Sequence, residues 1–148
     1  MVVRKRAVRI FLDSSVIFAA VISSSGGSFR LLTESKTRNL KLYVTRYVIE
    51  EVDRALVVKY QEMQSTFQYY LRNLPFLIIK NPSAHLVLKY INIVSQEDAP
   101  IIAASLKSRA DYLLTFDRKH FLNNKTLAKI KLPFSIMTPG DFIQKHFL

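Results

Sequence analysis

The stretch VRIFLDSSVIFAA, residues 8–20, decides how the chain is read. Val8–Leu12 has the apolar, β-branched and aromatic character of a buried strand, and it stops on a carboxylate, Asp13, before an apolar helical pattern resumes. An isolated charge buried there is costly, so Asp13 needs partners from elsewhere in the chain. A second stretch copies the arrangement. In DYLLTFD, residues 111–117, the strand signal Tyr112–Thr115 leads into Asp117.

Further strand signals fall at Leu40–Thr45, Phe76–Ile79 and Phe134–Met137, with helical periodicity between them. Ser15–Ile22 and Phe29–Ser35 flank the loop SSSGG. Val48, Ile49, Val52, Ala55 and Leu56 share one helical stripe; Met63, Phe67, Tyr70, Leu71 and Leu74 share another. A helix over Val87, Tyr90, Ile91 and Val94 opens after NPS, one runs from about Ala99 to Ser108, and a last one follows TPGD. Strands alternating with helices predict an α/β chain: a mostly parallel sheet of about five strands, covered on both faces in three layers. Such folds place their sites outside the carboxyl ends of the strands, where Asp13 and Asp117 lie. The expected organisation is one domain over 1–148, with 1–7 as a basic extension.

Composition narrows the chemistry. Among 148 residues, 49% are apolar and none is Cys, so disulfides, thiol chemistry and Cys-ligated zinc are excluded. Val16–Ile22 after RKRAVR faintly imitates a leader, but Arg9 and Asp13 interrupt it and no run approaches a membrane span; the expectation is a cytoplasmic chain with no membrane. Lys and Arg number 22 against 11 Asp and Glu, a net +11, which favours a polyanionic partner such as nucleic acid.

Helical geometry picks out two more acids. In RYVIEEVDRAL, Glu50 points away from the apolar stripe, whereas Glu51 borders it and reaches inward. In QEDAPIIAASLKS, Asp98 shares a face with Ile101 and Ile102, and Pro100 fixes the helix start; Glu97 is turned away. Taken singly, Asp13 and Asp117 read as helix caps, Asp98 as an N-cap or first-turn acid and Glu51 as a solvated one. Taken together, four converging carboxylates repel one another and cannot all stay ionised without cations. An all-oxygen pocket of this kind suits Mg²⁺ or Mn²⁺.

The pieces IFLDSSVIFAA, VTRYVIEEVDRAL, EDAPIIAASLKSRADYLLTFDRKHF and PFSIMTPGDFI span nearly the whole chain, and in that order the sequence resembles the PIN-domain nucleases, especially their prokaryotic toxin-like (VapC-like) branch. The resemblance implies an α/β/α sandwich and a divalent-metal-dependent endoribonuclease that hydrolyses RNA to 5′-phosphate and 3′-hydroxyl ends. It puts the catalytic and metal-holding acids on Asp13, Glu51, Asp98 and Asp117. Thr115 fits the hydroxyl residue often found two before the last acid. Ser15 occupies a place where the family often carries Asn, and that departure keeps open a different class: a non-catalytic RNA-binding or assembly module on the same fold. A phosphate-transfer enzyme of another doubly wound fold ranks low, because no GxxxxGK[ST] loop is present. One or two ions remain open at this point. A toxin-like member implies a small antitoxin that blocks the acidic pocket and a homodimer, for which Phe67, Tyr70 and Leu71 are a candidate face.

Setting the four acids aside leaves 22 bases against seven acids, a +15 remainder able to draw in an RNA backbone. RKRAVR at 4–9, Lys36 with Arg38, and Arg118 with Lys119 are the candidate contacts, the last pair best placed beside Asp117. Tyr47, Tyr69, Tyr70 and Phe121 are weaker candidates for base stacking. His85, His120 and His146 lack ligand-like spacing, and His120 reads as a local packing or loop residue.

Overall fold

The computed structural model describes residues 6–147; Arg4 and Lys5 of the basic run, and most of the expected 1–7 extension, lie outside them. Five strands run β1 (Val8–Leu12), β2 (Leu40–Thr45), β3 (Phe76–Ile79), β4 (Tyr112–Leu114) and β5 (Ser135–Met137). They pair in the order β3-β2-β1-β4-β5, every pair parallel. β1 is therefore central, and Ile10, Phe11 and Leu12 have no exposed surface, as expected for a strand covered on both faces.

Helices α1 (Ser14–Ile22) and α2 (Gly27–Glu34) join β1 to β2, and α3 (Arg46–Lys59) with α4 (Gln64–Asn73) joins β2 to β3. Both crossovers step the same way along the sheet, so right-handed connection puts these helices on one face. The return from β3 to β4 steps the other way past β1, carrying α5 (Ala84–Leu88) and α6 (Ala99–Lys107) to the opposite face. After β4 come a wide π-type turn at Arg118–Leu122, the short α7 (Lys125–Ala128), β5, and α8 (Pro139–His146), which packs on α2. The result is the expected three-layer α/β/α sandwich. The direction of stepping reverses between β1 and β4, so their carboxyl ends open a crevice at the switch point.

Local chemistry fixes these elements. Thr45 caps α3 by accepting the Val48 amide, Ser83 caps α5 through Leu86, and Thr138 caps α8 ahead of Pro139. Several expectations need correction. Ala55 is exposed, because the buried stripe of α3 is the i, i+4 row Val48, Val52 and Leu56. The helix expected through Val94 stops at Leu88 and continues as turns, in which Tyr90 donates to Val87 and both Ile93 and Val94 donate to Tyr90. The Ile93 carbonyl is held by the Asn124 side chain at 3.0 Å, a tertiary bond that competes with helix. A separate 3₁₀ turn, Gln61–Met63, precedes α4. Phe67 is fully buried in the chain's own core and Tyr70 and Leu71 pack against that core, so Phe67 has no surface for a dimer face. No single helix among the described residues is long and apolar enough to cross a membrane.

Candidate functional site

Asp13 is the hub. β1 ends on it, and its backbone amide reaches across to the Leu114 carbonyl at 3.1 Å, locking the ends of β1 and β4 together. Only 8% of Asp13 is exposed. Its Oδ1 accepts the Ser14 amide at 2.8 Å; its Oδ2 accepts the Ser15 hydroxyl at 2.9 Å and the Thr115 hydroxyl at 2.8 Å. Burial pushes its carboxyl up, the three hydrogen bonds pull it down, and the nearby charge of Asp98 adds to the upward push, which prevails.

The two hydroxyls also act on the following strand end. Ser15 Oγ accepts the Phe116 amide at 3.2 Å, and Thr115 Oγ1 accepts the Asp117 amide at 3.0 Å. Ser15 and Thr115 thus bridge Asp13 to the turn that carries Asp117. The hydroxyl of Ser15 fills its position without an amide, since one donor and one acceptor are all that this bridge uses.

Asp117 and Asp98 meet at a third side chain. Asp117 Oδ1 accepts the His120 amide at 2.9 Å, which caps the wide turn, while its Oδ2 lies 2.8 Å from His120 Nδ1. The same nitrogen is 3.3 Å from Asp98 Oδ2. Asp98 directly precedes α6 yet makes no side-chain cap bond to it. Instead Ser95 turns it toward the crevice, donating its hydroxyl to Asp98 Oδ2 at 2.6 Å and accepting the Asp98 amide at 3.1 Å. Burial, first of all, raises the Asp98 carboxyl. The hydrogen bond to Asp117 raises the His120 imidazole.

Glu51 sits in the second turn of α3, half-buried, while Glu50 beside it is exposed. Burial and then the charge of Asp13 push the Glu51 carboxyl up to about 7, with Asp98 contributing and Arg54 opposing. Tyr47 steadies this corner: its amide donates to Asn81 Oδ1 and its hydroxyl to the Glu97 carbonyl, next to Asp98. Asp13, Glu51 and Asp98 therefore bear on one another electrostatically, and Asp98 links them to Asp117. Asp98, Asp117 and His120 each offer a ligand atom within 4.8 Å of the others. Anionic oxygens with raised carboxyls are a donor set that a divalent cation would relieve.

Of the bases, Arg118 and Lys119 are exposed and follow Asp117 directly. Arg6, Arg9 and Arg38 are engaged at the opposite, amino end of the sheet, and Lys36 is exposed there. Arg6 pairs with Asp111 at 2.6 Å, Arg9 donates to the Ser108 carbonyl and stacks over Tyr43, and Arg38 pairs with Glu34 and lies over Phe147. Sequence reasoning set aside His120 and missed Ser95. The pattern Ser95-x-x-Asp98 before an apolar run is a capping-box signature that could have flagged the latter. An open pocket of ≈ 250 Å³, lined in part by Phe121, Leu127, Leu132 and Phe134, includes none of the acids.

With this fold and this cluster of acids in place, the family model for the PIN domain matches residues 9–119. The chain belongs to the PIN-domain family. Solved structures agree on the fold. PAE2754 from Pyrobaculum aerophilum superposes with a TM-score of 0.64 at 17% identity, covering 93% of this chain and 88% of that one. VapBC2 from Rickettsia felis, bound to a DNA fragment from its promoter, gives 0.63 at 17% identity, covering 87% and 98%. VapC20 from Mycobacterium tuberculosis, a sarcin–ricin-loop-cleaving toxin, gives 0.57 at 15% identity, covering 77% and 94%. No curated protein matches the chain by sequence.

Proposed function

We propose that the chain is a divalent-metal-dependent endoribonuclease and the toxin of a toxin–antitoxin pair. The observation that carries this is the convergence on Asp13: two hydroxyls hold its carboxylate, and Asp98 and Glu51 bear on it electrostatically. Asp13, Glu51, Asp98 and Asp117 would hold Mg²⁺ or Mn²⁺. Bound there, the ion lowers the pKa of water and offsets negative charge developing on the phosphate.

The remaining steps belong to the protein. Arg118 and Lys119 draw the RNA backbone toward the crevice, within the field of a strongly basic chain. Ser15 and Thr115 keep Asp13 in one orientation, so no rotamer has to be sought when substrate arrives. Ser95 does the same for Asp98. Hydrolysis adds water across the P–O3′ bond: the water oxygen bonds to phosphorus and its proton ends on the departing O3′. The products carry 5′-phosphate and 3′-hydroxyl ends.

Family membership supports the nuclease reading, and the fold shared with VapBC2 and VapC20 supports a toxin with a small antitoxin partner over the acids. On this reading the chain acts as one PIN-like unit in the cytoplasm; the family match over residues 9–119 supports it. Ser15 still holds Asp13, so the missing amide does not leave that carboxylate unsupported. The test is incubation of purified protein with mixed single-stranded RNA in Mn²⁺, Mg²⁺ or chelator. Cleavage should need the ion and vanish in Asp98→Asn; cleavage in chelator, or retarded but intact RNA under every condition, would refute the proposal.

A further inference from the structure

We infer that His120 is itself a ligand of the proposed metal centre and gives that centre a preference for Mn²⁺ and later first-row ions over Mg²⁺. The inference rests on the reading that the acids hold an ion, and extends it to a residue outside the acid set. His120 Nδ1 lies between the two carboxylates, 2.8 Å from Asp117 Oδ2 and 3.3 Å from Asp98 Oδ2. Those three residues are the cluster whose ligand atoms all fall within 4.8 Å of one another.

The backbone accounts for the placement. The Arg118–Leu122 turn is wider than an α-turn: Leu122 donates to the Asp117 carbonyl at 3.1 Å, five residues back. The turn folds His120 back over Asp117, so that its amide and its ring nitrogen both address one carboxylate. It is anchored on both sides. Phe121 is buried in the core, and the Asn124 side chain donates to the carbonyls of His120 and Ile93, each at 3.0 Å. The imidazole is nevertheless 39% exposed, reachable by an ion arriving from solvent.

Ring chemistry then sets the selectivity. A Lys or Arg at this point could only neutralise the acids, whereas imidazole carries a nitrogen lone pair. On binding, Nδ1 would exchange the proton it shares with Asp117 for the ion, and the proton would pass to water. Carboxylate and water oxygens suit Mg²⁺ and Mn²⁺ alike, but a nitrogen donor shifts affinity toward Mn²⁺, Co²⁺ and Zn²⁺.

Calorimetric titration of the full chain with Mg²⁺, Mn²⁺ and Co²⁺ tests this in the wild type, His120→Ala and Asp98→Asn. His120→Ala should lose about tenfold or more in affinity for Mn²⁺ and Co²⁺ while Mg²⁺ changes by less than about threefold. In the wild type, adding Zn²⁺ should move the ¹⁵N resonance of His120 Nδ1, a readout that needs neither variant nor activity. An unmoved Nδ1 resonance, an equal loss for all ions, or tighter binding in His120→Ala would each overturn the inference. The last would mean that the ring competes with the ion. Asp98→Asn separates the two claims. Ion binding lost in Asp98→Asn but intact in His120→Ala sinks only the ligand role of His120; ion binding untouched by Asp98→Asn sinks the acid centre itself.

Discussion

Thr115 Oγ1 lies 2.8 Å from Asp13 Oδ2 and accepts the Asp117 amide at 3.0 Å, so one hydroxyl joins two acids across neighbouring strand ends. Thr115 has no exposed surface, and water cannot easily replace what it does. Thr115→Val keeps the shape and removes both bonds. Leaving Asp13 and the Asp117 amide short of a partner should cost about 1–3 kcal/mol in urea unfolding. The Asp13 carboxyl should rise further, since one of the bonds that lowers it is gone, and Mn²⁺ affinity should fall with it. Thr115→Ser should recover most of both losses. A Thr115→Val protein as stable and as metal-competent as the wild type would contradict this account.

Glu51 gives the metal-free protein a pH dependence of definite sign. Its folded carboxyl titrates at about 7 against an ordinary 4.5, so between those values the folded chain holds a proton that the unfolded chain has lost. Stability is therefore full below the unfolded value and falls as pH rises through about 7. The raised carboxyls of Asp13 and Asp98 and the raised imidazole of His120 push in the same direction. Glu51 is half exposed, and solvent screening reduces its share to about 1–2 kcal/mol. Melting in chelator from pH 5 to 8 should show the decline, Glu51→Gln should flatten part of it, and saturating Mn²⁺ should reverse it. Rising stability across that range in chelator would count against the convergence of the acids.

Most of the fold was legible because two independent signals coincided. Val8–Leu12, Leu40–Thr45 and Phe76–Ile79 are rich in β-branched or aromatic residues; the first runs into the cap Asp13, the second ends on the cap Thr45, the third gives way to the loop before Ser83, and the strands have those bounds. Residues 89–93 were not legible, because an i, i+3 apolar row is compatible with helix and with successive turns; the choice falls to Asn124, thirty-one residues from Ile93. At the site, counting turns placed Glu51 inward and Glu50 outward because regular helix makes direction a matter of arithmetic. His120 escaped because its partners are acids across a turn, not histidines at ligand-like spacing. The contact depends on the π-type turn at Arg118–Leu122, whose geometry no regular period predicts. Capping and site chemistry also proved compatible in one residue: Asp117 caps with Oδ1 and faces His120 Nδ1 with Oδ2.

Arg118 and Lys119 are exposed beside Asp117, whereas Arg6, Arg9 and Arg38 are committed to protein partners at the far end of the sheet. In an Asp98→Asn background, which should bind without cutting, RNA affinity should fall steeply with salt. Arg118→Ala/Lys119→Ala should reduce the slope of log K against log[salt] by about two, one per phosphate contact. Arg6→Ala and Arg38→Ala should leave the slope unchanged. A slope indifferent to Arg118 and Lys119 would move the RNA path elsewhere on the surface.

Arg109 offers a change that tests the frame without touching the site. It follows α6 with φ 55°, a left-handed conformation, and Ala110 donates back to the Ser105 carbonyl at 3.1 Å, the 6→1 bond of a Schellman ending. A side chain at that φ costs about 1–2 kcal/mol, and Gly avoids the clash while losing about 0.5–1 kcal/mol to extra freedom in the unfolded chain. The Arg109 side chain is exposed. Arg109→Gly should therefore gain up to about 1 kcal/mol, seen as a higher urea midpoint at unchanged slope. Because Asp98 precedes α6 at its other end, a better-terminated helix should leave Mn²⁺ affinity as it was. A loss of stability on Arg109→Gly would mean that the α6–β4 connection does not turn as described.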